Sequence, residues 1–332
     1  MITREEPKKE LAQRYRSYSA EGLSIHMERG WPCREQLDLS MPMLDLVGSE
    51  TELVREVDYR GYAGTAGIDS MKALFAEWLN VGTEEIYIGG TMSTTLMYDL
   101  VNKAFCFGIQ GEKAWRYSEV KMLCPSPGYE KHFNICETFG IKMIPIQMNG
   151  CGPDMDLIET IVKEDEDVKG IWCVPLYSNP TGIVYSDEVV ERIAKMPVKA
   201  KDFCVIWDNA YFAHHLTEEK LTVKNILREC EKAGYPDRVF EFASTSKITF
   251  PGGGVAACAS SKTNIDWYTK KSLLQMKSGD KINQLRHALF LKNTSAVITA
   301  KVQKSGCDLF HALFVSVDHL LDHVAADRSC LL

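Results

Sequence analysis

The sequence predicts an α/β protein built on an open, mostly parallel sheet. Three observations carry this expectation. Short apolar runs alternate with amphipathic stretches, three of those runs are almost continuously apolar, and each of the three is followed at once by polar residues. The runs are GIWCVPL at 170–176, FCVIW at 203–207 and VFEFA at 239–243. The stretches 187–196 and 221–234 between them are helical in period, the second closed by Gly234 as a C-cap, so they read as crossovers between parallel strands.

Upstream, 69–79 (DSMKALFAEWL) places Met71, Leu74, Phe75, Trp78 and Leu79 at helical spacing, with Asp69 as the expected N-cap. A strand at 85–88, a Gly89–Gly90 turn and a helix over 94–107 follow, the helix with Leu96, Met97, Leu100, Val101 and Phe105 as its apolar positions.

Composition narrows the function. The chain has 332 residues, 45% hydrophobic and 25% charged, which is globular rather than disordered and long enough for about two domains. Lys and Arg number 38 against 45 Asp and Glu, a formal net charge of -7, so a protein held to nucleic acid or anionic membrane by a basic surface is disfavoured and a small-molecule partner is expected. The N-terminus MITREEPKKE carries both charge signs and no apolar signal core. The longest uncharged stretches, 170–185 and 248–261, are broken by Pro, Gly, Ser, Thr or Asn and are too short to span a bilayer. Eleven cysteines lie scattered without a CxxC pair, the pattern of reduced core thiols in a cytoplasmic protein.

The chemistry gathers where the apolar runs end. Ser178–Asn179 follows the first, Asp208 the second and Ser244–Thr245–Ser246–Lys247 the third. In an open parallel sheet the carboxyl edge of the strands is where ligands bind, so these groups converge on one crevice. A lysine at a strand end ordinarily reaches water, and an aspartate there is as often a turn residue. Together they suggest a ligand with a carbonyl at one end of a heteroaromatic ring and a basic nitrogen at the other, a description that pyridoxal 5'-phosphate (PLP) fits. Gly89-Gly90-Thr91-Met92-Ser93-Thr94 adds a strand-to-helix turn whose free amides suit a phosphate. It lacks P-loop spacing, and Gly252–Gly254 completes no GxGxxG. No metal site is expected.

The motifs Ser178-Asn179-Pro180-Thr181-Gly182, Asp208-Asn209-Ala210-Tyr211 and Ser244-Thr245-Ser246-Lys247 resemble, in order and spacing, those of fold-type I PLP-dependent aminotransferases. Tyr59-Arg60-Gly61-Tyr62 and Thr245–Gly252 resemble the aspartate aminotransferase branch grouped with MocR-type enzymes, and the likeness covers about 36–293. The resemblance implies a three-layer α/β/α domain with a mostly parallel sheet. It also implies transamination between aspartate and 2-oxoglutarate through a pyridoxamine intermediate, with an amino acid and a 2-oxo acid as partners.

The roles it implies are specific. Lys247 is the Schiff-base lysine and proton shuttle, Asp208 pairs with the pyridine nitrogen, and Asn179 and Tyr211 hydrogen-bond the phenolic oxygen. Tyr129 stacks on the cofactor, with His132 behind Asp208. Met92, Ser93 and Thr94 with Ser244 and Ser246 hold the phosphate. Tyr62 reaches the phosphate of a neighbouring subunit, which implies a homodimer with shared active sites.

Departures accompany the likeness. No arginine occurs in 248–261, where many relatives have a phosphate-binding one. The family continues into a small domain with a carboxylate-clamping arginine, and after Lys247 the only arginines are Arg286 and Arg328. Arg286 is either a substrate contact or half of a surface ion pair. The expected organisation is an N-terminal segment at 1–36, a PLP-binding large domain at 37–293 and an atypical tail at 294–332 replacing most of the small domain. Two rival functions follow: a lyase or transaminase with another amino donor, and a PLP-binding remnant without turnover. A regulator of the related type needs a winged-helix domain, for which the segment before Leu37 is too short.

Overall fold

The computed structural model of the protein describes residues 5–20, 32, 34–55, 57–215 and 220–292. The chain divides into two units, Met1–Pro32 and Cys33–Leu332. In the first, Glu5–Ala20 forms α1. The tail expected at 294–332 lies outside the described residues.

The second unit is built on an eight-stranded sheet. In chain order its elements are α2 (Arg34–Asp38), α3 (Asp69–Leu79), β1 (Ile86–Ile88), α4 (Ser93–Phe107), β2 (Lys121–Ser126), α5 (Glu130–Thr138), β3 (Lys142–Asn149), β4 (Gly152–Pro153) and α6 (Met155–Glu164). They continue with β5 (Val168–Cys173), α7 (Asp187–Lys195), β6 (Cys204–Asp208), α8 (Ile226–Lys232), β7 (Val239–Ser244), β8 (Ala256–Ser260), α9 (Lys262–Ser272) and α10 (Lys281–Leu291).

The strand order is β1-β8-β7-β6-β5-β2-β3-β4. β7, β6, β5, β2 and β3 run parallel, as expected, while β8 is antiparallel to both β7 and β1, and β4 to β3. Reversing twice through β8 brings β1 back into the common direction, so its carboxyl end opens on the same edge as those of β2, β5, β6 and β7.

Alternation sorts the strand side chains into two cores. Val205, Trp207, Val239, Ala243 and Ile171 pack with α3, α6, α7, α8 and α10. Cys204, Ile206, Phe240, Phe242 and Trp172 pack with α4, α5 and α9. The sheet is thus sandwiched between two helical layers, the three-layer architecture expected. Burial on both faces explains why the central strands read as unbroken apolar runs, and each fully buried Ile, Val or Phe contributes about 1.5–3 kcal/mol. Ser186 caps α7 by accepting from the Val189 amide at 3.3 Å, and Asp154 caps α6 through the Leu157 amide at 3.2 Å.

Two local expectations are corrected. Asp69 is the first helical residue of α3 and Ile68 occupies the cap position. The Ile68 amide donates to Gln284 Oε1 at 2.9 Å, while its carbonyl accepts from Met71 and Lys72. The helix expected over 221–234 starts only at Ile226. Asn225 accepts from the Arg228 amide and donates to the carbonyls of Leu79 and Asn80, which fixes the chain in a non-helical cap. Gly234 ends it with φ +84°, as its expected role requires.

Gly170 of the site-bearing strand β5 pairs with Cys204 of β6, where there is no room for a side chain. A Cβ there would lie 2.4 Å from the Cys204 carbonyl oxygen and 3.1 Å from Met122 Cε. Gly170→Ala should therefore destabilise the protein by about 1–3 kcal/mol through overpacking, read as a lower urea midpoint at unchanged m-value.

Candidate active site

Side chains gather along the carboxyl edge in the order the sheet dictates. The Gly89–Met92 turn after β1 enters α4, where Ser93 is buried and Met92 and Thr94 flank it. The Gly89 amide donates to the Ala256 carbonyl at 2.9 Å, and Gly90, at φ +66°, accepts from the Ala256 amide, so β8 pins the turn from both sides. At Gly254 a Cβ would come within 2.7 Å of the Thr91 carbonyl oxygen and 3.0 Å of the Ser246 backbone. The turn after β1 and the segment after β7 therefore close into one cup that only glycine permits. Ser244 and Ser246 share a hydroxyl hydrogen bond of 2.8 Å beside it.

Asp208, at the end of β6, is 3% exposed. It falls on the Ile206 side of the sheet, facing α5, and there His132 Nε2 meets its Oδ2 at 3.0 Å. The His132 ring stacks on Trp172 of β5 with centroids 4.4 Å apart and planes 9° apart. Trp172 in turn donates its indole N–H to Cys136 Sγ at 3.3 Å. Asp208 Oδ1 is buried with no hydrogen-bond partner among the described residues. A buried carboxylate oxygen left open in this way calls for a donor, and a protonated ring nitrogen is one that fits.

Tyr129 stands edge-on to His132, with centroids 5.2 Å apart, and shares a hydrogen bond with Thr94. Burial raises its hydroxyl pKa, and the nearby Asp208 charge raises it further. Lys247 is half-buried, with Nζ 3.8 Å from the centre of the Tyr211 ring. Asn179 reaches the same edge on the loop after β5, half-buried between the buried Ser178 and the exposed Pro180.

The structure thus joins Thr94, Tyr129, His132 and Asp208 into one contact chain, and Tyr211 with Lys247 into another. Tyr62 stands apart, 84% exposed, with Lys277 Nζ 5.8 Å from its ring centre. Arg286 makes no ion pair among the described residues, and its Nε is buried without a partner there.

Three further residues bear on the site. His214 Nε2–H donates to the Lys247 carbonyl at 3.3 Å. Burial first, and then the Lys247 charge, lower its pKa to about 4, which keeps the ring neutral at pH 7. Trp172 supports His132, as described. Glu241, in the middle of β7, is 4% exposed and accepts from Asn209 Nδ2 at 2.8 Å. Of the three, Glu241 alone had a visible signal, as the one charge in VFEFA. The other two are indistinguishable in sequence from ordinary core residues.

A family model described as aspartate amino-transferase matches residues 3–330. A candidate aminotransferase of Mycolicibacterium smegmatis is 43% identical over 294 residues, which is 87% of this chain and 69% of that one. An aspartate aminotransferase of Corynebacterium glutamicum is 38% identical over 291 residues, covering 87% of this chain and 67% of the relative. The crystal structure of a candidate aminotransferase from Corynebacterium diphtheriae superimposes with a TM-score of 0.87 at 37% identity, over 95% of this chain and 79% of that one.

Burial pushes the Glu241 carboxyl up to about 7 from an ordinary 4.5, and the Asn209 bond offsets only part of this. Between about pH 4.5 and 7 the folded protein keeps a proton that the unfolded chain releases, so stability falls as pH rises across that window. Glu241→Gln keeps an acceptor for Asn209. It should be about 2–3 kcal/mol more stable than the parent at pH 8 and lose that advantage below about pH 4.5. Urea unfolding of both proteins across this range checks it, and identical pH slopes would contradict it.

Proposed function

Since the chain belongs to the aspartate aminotransferase family, and is thereby a transaminase, we propose that it holds PLP at the carboxyl edge of its sheet and moves an amino group between aspartate and 2-oxoglutarate. The observation that carries this reading is the open, buried Oδ1 of Asp208, whose other oxygen is already held by His132. The aspartate preference is supported by the 38% identity to the Corynebacterium glutamicum enzyme.

When bound, PLP supplies an aldehyde for the substrate amine and a protonated ring that draws electrons from the substrate α-carbon. Asp208 holds the ring nitrogen in its protonated form by accepting its N–H. His132 keeps the carboxylate oriented, and Trp172 keeps His132 oriented. Asn179 and Tyr211 hydrogen-bond the phenolic oxygen. Tyr129 lies against the ring face and excludes water from it. The amides of Met92, Ser93 and Thr94, at the positive end of the 15-residue α4, bind the phosphate together with the Ser244 and Ser246 hydroxyls. Lys247 contributes the amine that anchors the cofactor and, once displaced by substrate, carries the proton at the α-carbon.

The proposal extends to a homodimer in which Tyr62 of one subunit serves the phosphate of the other. It also places the enzyme in the cytoplasm, a reading supported by the eight free cysteines among the described residues. No helix among those residues is long and apolar enough to cross a membrane.

Formation of oxaloacetate and glutamate from aspartate and 2-oxoglutarate tests the assignment. Lys247→Ala should abolish turnover while the purified protein still binds PLP noncovalently. Asp208→Asn should lower kcat by at least about a hundredfold, because the donor–acceptor match to the ring nitrogen is lost. A wild-type protein that exchanges other amino donors but not aspartate would overturn the substrate assignment and leave the class intact.

A further inference from the structure

The phosphate cup has a charge deficit. Its two walls, 89–94 and 244–254, contain one cationic side chain, Lys247, and that amine is committed to the other end of the cofactor. A phosphate monoester carries close to two negative charges at neutral pH, and a helix N-terminus offers the equivalent of about half a positive charge. Charge of the opposite sign has to come from elsewhere.

The surface around Tyr62 offers it. Lys281 is 2% exposed, yet its ammonium is spent on the carbonyls of Gly61 and Ala63, the latter at 3.1 Å, and on Ser278 Oγ at 2.6 Å. Ser278 Oγ also bonds the Ala63 carbonyl at 3.1 Å, and Thr65 donates to the Lys277 carbonyl at 3.0 Å. The residues on both sides of Tyr62 are thus tied to Lys277, Ser278 and Lys281, in one mount. What the mount displays is exposed: Tyr62 at 84%, and Lys277 with Nζ 5.8 Å from the tyrosine ring. Lys277 has no acidic partner among the described residues, whereas nearby Arg60 is paired with Asp58. A buried ammonium spent on holding an exposed aromatic and an unpaired cation side by side suits presentation to an anion better than it suits folding.

We propose that Lys277, held beside Tyr62 by the Lys281 staple, supplies the cation for the phosphate group of the cofactor bound in a second copy of this chain. The inference rests on the reading of Tyr62 given above.

Mixed dimers test it. One subunit carries Lys247→Ala, so PLP can join covalently only to the other, and the visible absorption of that covalent species reports binding to a single site. Lys277→Met in the Lys247→Ala subunit should weaken PLP about tenfold, the loss expected for one charge-assisted hydrogen bond. It should leave pyridoxal, which lacks the phosphate, unchanged. The same substitution in the subunit that keeps Lys247 should have no effect, and Lys277→Arg should restore affinity. Loss only in the subunit that keeps Lys247, loss in neither, or equal loss for pyridoxal would overturn the proposal. Tyr62→Phe in the same arrangement separates the two ideas. If it acts across the dimer and Lys277→Met does not, the Lys277 proposal fails alone. If neither acts, or the protein is a monomer, both fail.

Discussion

Everything at the carboxyl edge depends on satisfying one carboxyl group buried inside the protein. Asp208 sits at the end of a strand buried on both faces, where a charge without partners would cost several kcal/mol. The protein meets half of that demand with His132, braced by the face of Trp172 and by the first turn of α5. Among the described residues the other half, at Oδ1, is left open. A site arranged this way is incomplete on its own. Its electrostatic shortfall is the affinity it offers to a ring that brings an N–H of its own.

One strand over, in the middle of β7, lies a second buried acid with a different partner. Glu241 lies on the Val239 and Ala243 side of β7 and receives one neutral donor, Asn209. With no cationic partner among the described residues, its burial favours the protonated form. Asn209 adjoins Asp208, and its amide donates to the Phe242 carbonyl at 2.8 Å. Two neighbouring residues at one strand end thus face opposite sides of the sheet: Asp208 is an acid held by His132, and Asn209 donates to the other acid, Glu241.

The architecture was legible because burial on both faces leaves a plain mark in sequence: 170–176, 203–207 and 239–243 all became parallel strands, shifted by no more than three residues at their ends. The errors fell at helix starts, where a tertiary bond outweighed local preference, as Asn225 and Ile68 illustrate. The site motifs were legible because short loops at strand ends keep sequence neighbours together in space. The supports were not. Trp172 reads as one more apolar strand residue, Lys281 as one more surface lysine, and His214 as one of a pair of histidines. What separates each from its neighbours is a partner 33 or more positions away.

The alternation of faces along β6 sets a rule for how chains of this kind can change length. Asp208 lies on the Ile206 side and Asn209 on the Trp207 side because consecutive strand residues point in opposite directions. One residue gained or lost within β6 would exchange the two, turning the carboxylate toward Glu241 and the amide toward His132. Insertions or deletions at the amino edge of the sheet or in its outer connections would leave this placement intact. An aligned gap inside β6 in any relative would mark a protein whose site has been rebuilt on different residues.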